Sequence, residues 1–289
     1  MAKQKLCLGL IARYGQTRLG AEEETRLLAE TGFDGFFSGW SGKESLAEYR
    51  RLAGETGLFY QSVHAPFSKV RDIWHGEKDD AESALGELTR CLEDCAACDV
   101  PITVCHAFIG FEDHSPNEAG VARFERLVRR AAQVGVKIAF ENTEGTEYLD
   151  AVMEMAAAYP QAAGFCWDTG HEKCYNRSQD MPGRYPGKLI ATHINDNLGV
   201  SDPGGKITWL DDLHLLPFDG TVDWENAARR LKDFDGPLTF ELTTLSKPGR
   251  HDNDKYAALS PRGFLAEAYA RAQKFSEAVR LARNEGRSK

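Results

Sequence analysis

Four apolar, strand-like runs each end on a side chain able to hold a metal ion or move a proton: IAFENT on Glu141, FCWDTGH on Asp168, LIATHIND on His193 and LTFELT on Glu241. Two further runs end on histidines, YQSVHAP on His64 and ITVCHAF on His106. An oxygen-rich donor set with one imidazole suits a divalent cation such as Mn, Mg or Co better than a thiolate set would. Such an ion can hold neighbouring oxygens of a carbonyl compound and stabilise the enediolate left when a proton departs from the adjacent carbon. Two carboxylates flanking that carbon can remove and return the proton, which gives epimerisation or isomerisation according to where it goes back. A single strand-end glutamate reads as readily as a salt-bridge partner. Four in succession point to a common ligand, because each would otherwise carry a desolvation cost.

The elements that must position them follow from alternation. In IAFENT, Ile138 and Phe140 alternate with Ala139 and Glu141; in LTFELT, Leu238 and Phe240 alternate with Thr239 and Glu241. A strand therefore sends the large residues to one face and the small residues, topped by the glutamate, to the other. The same rule pairs Cys166 with Asp168 against Phe165 and Trp167, stands His193 above Ala191, and puts Ile102, Val104 and His106 on one face. The polar ends recur roughly once per βα unit, as expected of a (β/α)8 barrel, whose strands converge at one mouth.

The expected fold is thus α/β, a single (β/α)8 TIM barrel of one domain spanning residues 1–289; barrels commonly run to about 250 residues. Strands are predicted near 5–12, 33–40, 59–66, 102–108, 137–143, 163–169, 189–195 and 238–243, with helices between most of them. AEEETRLLAETG is acidic at its start and closes on Gly32; the helix after Ser115-Pro116 closes on Gly135. The interval 172–188 is the weakest helix and reads largely as loop. No repeat or interdomain linker interrupts the alternation.

Cys91, Cys95 and Cys98 have the C-x3-C-x2-C spacing that can hold an iron–sulfur cluster, yet i, i+4 and i+7 also define one helix face, which Leu85, Leu88 and Leu92 continue. Buried helix packing is the expectation. Seven cysteines, an odd number, favour a reduced cytoplasmic protein. MAKQKLCLGLIA reads as the first strand rather than a signal peptide, and no stretch approaches the ~20 apolar residues of a membrane span. The net charge of −9 argues against nucleic acid as a partner, since phosphate affinity comes from Lys and Arg. Lys69, Arg71, Arg177 and Arg184 read as solvated surface or a small anion site. His75, His114 and His251 read as solvated loop residues, and Trp40, Phe67, Trp74 and Phe108 either wall a substrate pocket or pack in loops.

In order and spacing, LGLIA, HAP, FENT, DTGH, HINDN, DLHLLPFDGTVDW and FEL resemble the xylose isomerase-like sugar (phosphate) isomerase/epimerase family along nearly the whole chain. The resemblance implies a barrel with one divalent ion, manganese first and Mg, Co or Zn as alternatives, held by Glu141, Asp168, His193 and Glu241. It implies that Glu141 and Glu241 also serve as the acid/base pair, and that His64, His106, His171, His214 and Trp40 meet a small-molecule sugar or glycoside. Homo-oligomers are common in such barrels, and no segment here marks an interface.

Two departures qualify the resemblance. Ketose 3-epimerases carry an arginine six residues after the metal histidine, where this chain has Gly199; enzymes of the same barrel that act on 3-oxo-glycosides or C-glycosides need only the same metal and carboxylates. Three-zinc apurinic endonucleases use a similar barrel, and His64, His106, Glu141, Asp168, His171, His193, Asp212, His214 and Glu241 match their ligand order, so His64, His106, His171, Asp212 and His214 are candidate extra metal ligands. The acidic balance, the lack of a basic stripe and the LPFDGTVDW segment favour the sugar enzymes. A non-catalytic metal-binding barrel would lose at least one carboxylate, and none is missing.

Overall fold

A computed structural model describes residues 4–112, 115–202 and 204–287; His114 lies outside the described residues. Eight parallel strands form one sheet: β1 (Leu6–Gly9), β2 (Gly35–Gly39), β3 (Phe59–His64), β4 (Ile102–His106), β5 (Lys137–Glu141), β6 (Ala163–Asp168), β7 (Leu189–His193) and β8 (Leu238–Phe240). Each lies within its predicted span and ends where the chain turns toward the mouth.

The sheet curls until its edges meet. β1 pairs with β8 through Leu6 and Leu238. On the other side Ile194, just past β7, donates its N–H to the Thr239 carbonyl at 2.8 Å and accepts from the Glu241 N–H at 3.2 Å. Closure satisfies the backbone groups that an open edge would leave unpaired.

Inside the barrel, Val104, Ala139, Cys166 and Ala191 form a small buried cluster with Ile102 and Ile190 against it. Outside, Ile138, Phe140, Phe165, Trp167, Leu238 and Phe240 join the main core beneath the helices. The alternation read from the sequence is therefore the one the barrel uses. Register sets the heights of the site residues: His106 pairs with Glu141 across β4 and β5, and Asp168 with His193 across β6 and β7.

The covering helices are α1 (Ala21–Thr31), α2 (Lys43–Thr56), α3 (Val70–His75), α4 (Lys78–Ala97), α5 (Glu118–Val134), α6 (Thr146–Ala156), α7 (Thr169–Cys174), α8 (Met181–Arg184), α9 (Trp224–Arg230), α10 (Asp254–Ala257) and α11 (Pro261–Arg287). Gly32 ends α1 at φ 111°, with its N–H on the Leu28 and Ala29 carbonyls. The start of α5 falls later than Ser115-Pro116 because Asn117 is the better cap, its side chain accepting the Gly120 N–H at 2.8 Å. The interval 172–188 holds only the end of α7 and the four residues of α8.

Cys91 and Cys95 lie buried on α4, Cys98 caps its end, and all seven cysteines are free and buried. The helix-packing expectation holds. Among the described residues no helix is long and apolar enough to cross a membrane.

Candidate active site

Six strand ends, one helix and one loop bring nine titratable side chains to one mouth. Glu141 is the hub and is fully buried. Its Oε1 lies 2.8 Å from His193 Nδ1; its Oε2 lies 3.2 Å from His106 Nε2 and 3.4 Å from His64 Nε2. Glu241, one residue beyond β8, reaches the other side of His193 Nδ1 at 3.0 Å. One ligand atom each from Glu141, Asp168, His193 and Glu241 fits within a 4.8 Å span, as do atoms from His64, His106 and Glu141, and from His171, Asp212 and His214.

The last group comes from α7 and from the loop after β7. His214 Nε2 is 2.9 Å from Asp212 Oδ2, His171 Nε2 is 3.5 Å from Asp212 Oδ1, and Lys247 Nζ is 3.3 Å from Oδ2. His214 sits at φ 47°, an uncommon value for a side chain of this size, and its Nδ1 is 3.2 Å from the Glu241 carbonyl.

Asp168 is held by groups that sequence reasoning passed over. Asn195 donates to its Oδ2 at 2.8 Å, the His171 N–H donates to Oδ1 at 2.6 Å as the first turn of α7 is capped, and Asn142 brackets its backbone at 2.8 and 2.9 Å. A Cβ on Gly170 would run into the Asn195 side chain, which accounts for the glycine of DTGH. Asn142 follows Glu141 in FENT and Asn195 stands two residues past His193 in HIND, and that proximity was the available signal.

Burial and charge pull these groups in opposite directions. Burial raises the Glu141 carboxyl, but His193, His106 and His64 more than reverse this and hold it well below the usual range. Burial also opposes the ionisation of Glu241, which His193 and His214 bring down to about 2. Asp168 is pushed up to about 6 by burial, only partly offset by His171. His193 and His171 stay protonated well above the ordinary imidazole range because the neighbouring carboxylates outweigh their burial, and His214 rises to about 9 for the same reason. A cluster of carboxylates and imidazolium groups, each stabilising the next, is the charge pattern of a site whose cations can be exchanged for a metal ion.

Two cavities open at the mouth, of about 320 and 310 Å³, and share His64, Phe67 and Glu241. Trp40 lines the first, with its indole N–H on Asp94 Oδ2 at 2.9 Å. The second holds His106, His171, Asp212 and His214, with Tyr175, Trp209 and Lys247, which the sequence reading did not single out. Trp74 and Phe108 do not wall either cavity: Trp74 is buried against Phe124 and Tyr148, and Phe108 stacks on Tyr148 at 4.0 Å. His75 ends α3 rather than lying in a loop, 2.5 Å from the Tyr148 hydroxyl, while His251 is exposed beside Asp254. Lys69, Arg71 and Arg184 pair separately with Glu87, Glu112 and Asp150 and form no shared anion site.

A model of the xylose isomerase-like TIM barrel matches residues 25–267. The chain belongs to that family. This xylose isomerase-like barrel is 28% identical to the uncharacterized protein y4fM of Sinorhizobium fredii over 267 residues, covering 81% of this chain and 79% of the relative. Among solved structures it resembles a xylose isomerase-like TIM barrel/4-hydroxyphenylpyruvate dioxygenase fusion protein with a TM-score of 0.74 at 17% identity. That match covers 99% of this chain and 45% of the fusion. It also resembles an L-ribulose 3-epimerase with a TM-score of 0.70 at 15% identity, covering 98% and 97% of the two chains. At these identities the structural matches speak for the fold.

Proposed function

We propose that this chain is a divalent-metal-dependent isomerase or epimerase of a sugar or sugar derivative, acting by proton transfer at a carbon beside a carbonyl. The observation that carries this reading is the convergence of Glu141, Asp168, His193 and Glu241 at the barrel mouth, in a family whose structural neighbours include a sugar epimerase. The donor set fits a divalent ion: three carboxylates and one imidazole meet in a small volume, Glu141 Oε2 has only ion-pair contacts to His106 and His64 without hydrogen-bond geometry, and His193 Nε2 is buried without a partner.

A divalent ion there, manganese in our reading, would polarise the carbonyl and so acidify the adjacent C–H. Of the four converging residues Glu241 is the one that borders both cavities, so in our reading it takes the proton. Glu141 lies beneath, fixed by three imidazoles, and serves as the second member of the pair. His64, His171 and His214 line the cleft, where they can donate to substrate hydroxyls. Phe37, stacked on His193 at 4.6 Å, holds that ring flat against the barrel wall. The seven free, buried cysteines support a cytoplasmic location, and the unbroken strand-helix alternation supports one domain across 1–289.

The test is solvent exchange. Protein loaded with Mn²⁺ and incubated in D2O with a panel of aldoses, ketoses and oxidised glycosides should introduce one deuterium at a carbon next to a carbonyl, read by NMR. Failure to label any member of the panel while the metal is bound would remove the reading.

One observation favours a second reading. His171, Asp212 and His214 form a compact group of their own, with His171 Nδ1 buried and without a hydrogen bond, and His64 and His106 form another with Glu141. Together with the four-residue group they would suit the ligand order of a three-zinc phosphodiesterase. Cleavage of a duplex containing an abasic site by Zn-loaded protein would establish that reading.

A further inference from the structure

Of the four residues that converge at the mouth, three lie within strands: Glu141 ends β5, Asp168 ends β6 and His193 ends β7. Glu241 stands one residue past the end of β8, and its side chain is 25% exposed. Its N–H still reaches the Ile194 carbonyl at 3.2 Å, and there the sheet stops. The segment that follows must be held by something other than strand pairing.

Ties on either side hold it. The Thr243 N–H donates to the His214 carbonyl at 3.3 Å, and the Thr243 carbonyl accepts from Asn253 at 3.2 Å. On the other side the buried Thr244 hydroxyl accepts from the Gly15 N–H at 3.0 Å and donates to the Arg13 carbonyl at 3.0 Å. Arg13 and Gly15 belong to a two-stranded hairpin, Arg13–Tyr14 against Thr17–Arg18, inserted between β1 and α1. A Cβ on Gly15 would stand within 2.5 Å of the Ala257 carbonyl, so the tip is seated against α10 as well.

The hairpin is held in turn by a buried carboxyl group that has no part in the proposed chemistry. Glu24, in the first turn of α1, is 2% exposed. Its Oε1 accepts from the Ile11 N–H at 2.6 Å and the Tyr14 hydroxyl at 2.8 Å, and the Ala12 N–H lies 3.0 and 3.1 Å from its two oxygens. These donors meet the cost of burying the group. Ala12 sits at φ 57°, a left-handed conformation that a residue with a Cβ adopts only under constraint. Tyr14 is buried edge-on against Phe264 of α11. Glu24 thus fixes the start of the hairpin, and the hairpin fixes Thr244, three residues beyond Glu241.

We propose that Glu24 and Thr244 are positioning residues for Glu241: they clasp the loop after β1 to the loop after β8, and the clasp sets the path of the backbone that carries Glu241 to His193. This rests on the metal centre of the reading given above. The clasp acts on one of the four converging residues, because the other three are fixed by their own strands.

The test is a double-mutant cycle on Mn²⁺ affinity, read by calorimetric titration, which needs no turnover. Thr244→Val removes both hydrogen bonds at nearly constant shape, and Glu24→Gln turns an amide donor toward the hairpin. Each should weaken Mn²⁺ binding by about tenfold, the low end of the roughly 10- to 100-fold seen when a group supporting a metal ligand is removed. Thr244→Ser keeps the hydroxyl and should bind as the wild type does. In a Glu241→Gln protein, Thr244→Val should change affinity by less than about twofold, since the carboxylate it positions is already gone. Melting temperatures show which variants fold, and Gly15→Ala, which pushes the tip off the Ala257 carbonyl, replaces either one that does not and should show the same loss. An unchanged affinity in a folded Thr244→Val protein, or an equal loss with and without the Glu241 carboxylate, would overturn the clasp. Mn²⁺ binding that follows the expected pattern without any solvent exchange would remove the sugar reading and leave the clasp standing; a wild type that binds no Mn²⁺ would remove both.

Discussion

Glu141 Oε1 and His193 Nδ1 stand 2.8 Å apart across the barrel mouth, both buried, although 52 residues separate them in the chain. That contact joins the ends of β5 and β7, and Glu141 is the common member of three of the groups able to hold an ion. Glu141→Gln removes the charge and preserves the shape, so a metal site centred here should lose affinity by about 10- to 100-fold, the scale seen when a partner of a metal ligand is removed. Calorimetric Mn²⁺ titration of variant and wild type would show it, and an unchanged affinity would place the ion elsewhere.

Stoichiometry separates the sugar enzyme from the phosphodiesterase. Elemental analysis of the purified protein should find about one Mn, Mg or Co per chain under the first reading. Asp212→Asn should leave that ion in place, because Asp212 belongs to the separate group with His171 and His214. Two or three zinc ions per chain, reduced by one in Asp212→Asn, would transfer support to the second.

Asp219 ties the last long helix to the loop after β7. It accepts from the Tyr256 hydroxyl at 2.7 Å and from Arg271 at 3.0 Å, with Lys255 Nζ at 3.0 Å. Burial raises its carboxyl, but Tyr256, Lys255 and Arg271 more than reverse this and bring it below the ordinary value of 3.8. A depressed folded pKa means that the unfolded chain takes up the proton first, so the stabilisation is present above the unfolded value and is lost as pH falls through the folded one. Asp219→Asn should cost about 2 kcal/mol at pH 7, the scale of hydrogen bonds to a charged group. Urea midpoints of variant and wild type should converge below pH 3.8; a constant gap across pH would refute this assignment.

Gly120 on α5 faces the buried Trp74 ring so closely that a Cβ would overlap it. Gly120→Ala should therefore destabilise by about 1–3 kcal/mol even though alanine favours a helix. A variant as stable as the wild type in thermal unfolding would show that Trp74 can move.

The seven cysteines are buried and unpaired. Iodoacetamide should modify almost none of them in the native protein and all of them in urea, as read by mass. Fast native labelling of Cys91 or Cys95 would contradict the packing of α4.

Much of the fold was legible because burial on two faces leaves a period-2 record. Large residues such as Phe140 and Phe165 face the helices, small ones such as Ala139 and Ala191 fill the barrel, and the polar residue ending each column marks the mouth. The start of α5 was less legible, because Asn117 and Ser115 are both acceptable caps and the choice depends on the local path of the backbone. Trp74 and Phe108 read equally as wall or packing residues, since an aromatic after a strand end can turn either way. The contacts with Phe124 and Tyr148 turn them inward.

The sequence by itself determined the barrel class and the types of the site residues, because periodicity and side-chain chemistry are local properties. Only the tertiary structure decided which of them meet. Register set His106 beside Glu141 and Asp168 beside His193, barrel closure brought Glu241 to His193, and the loop after β7 carried Asp212 and His214 to His171. The clasp of Gly15 on Thr244 belongs to the same category, since a hydrogen bond across 229 residues is a relation between distant segments and leaves no mark on either of them.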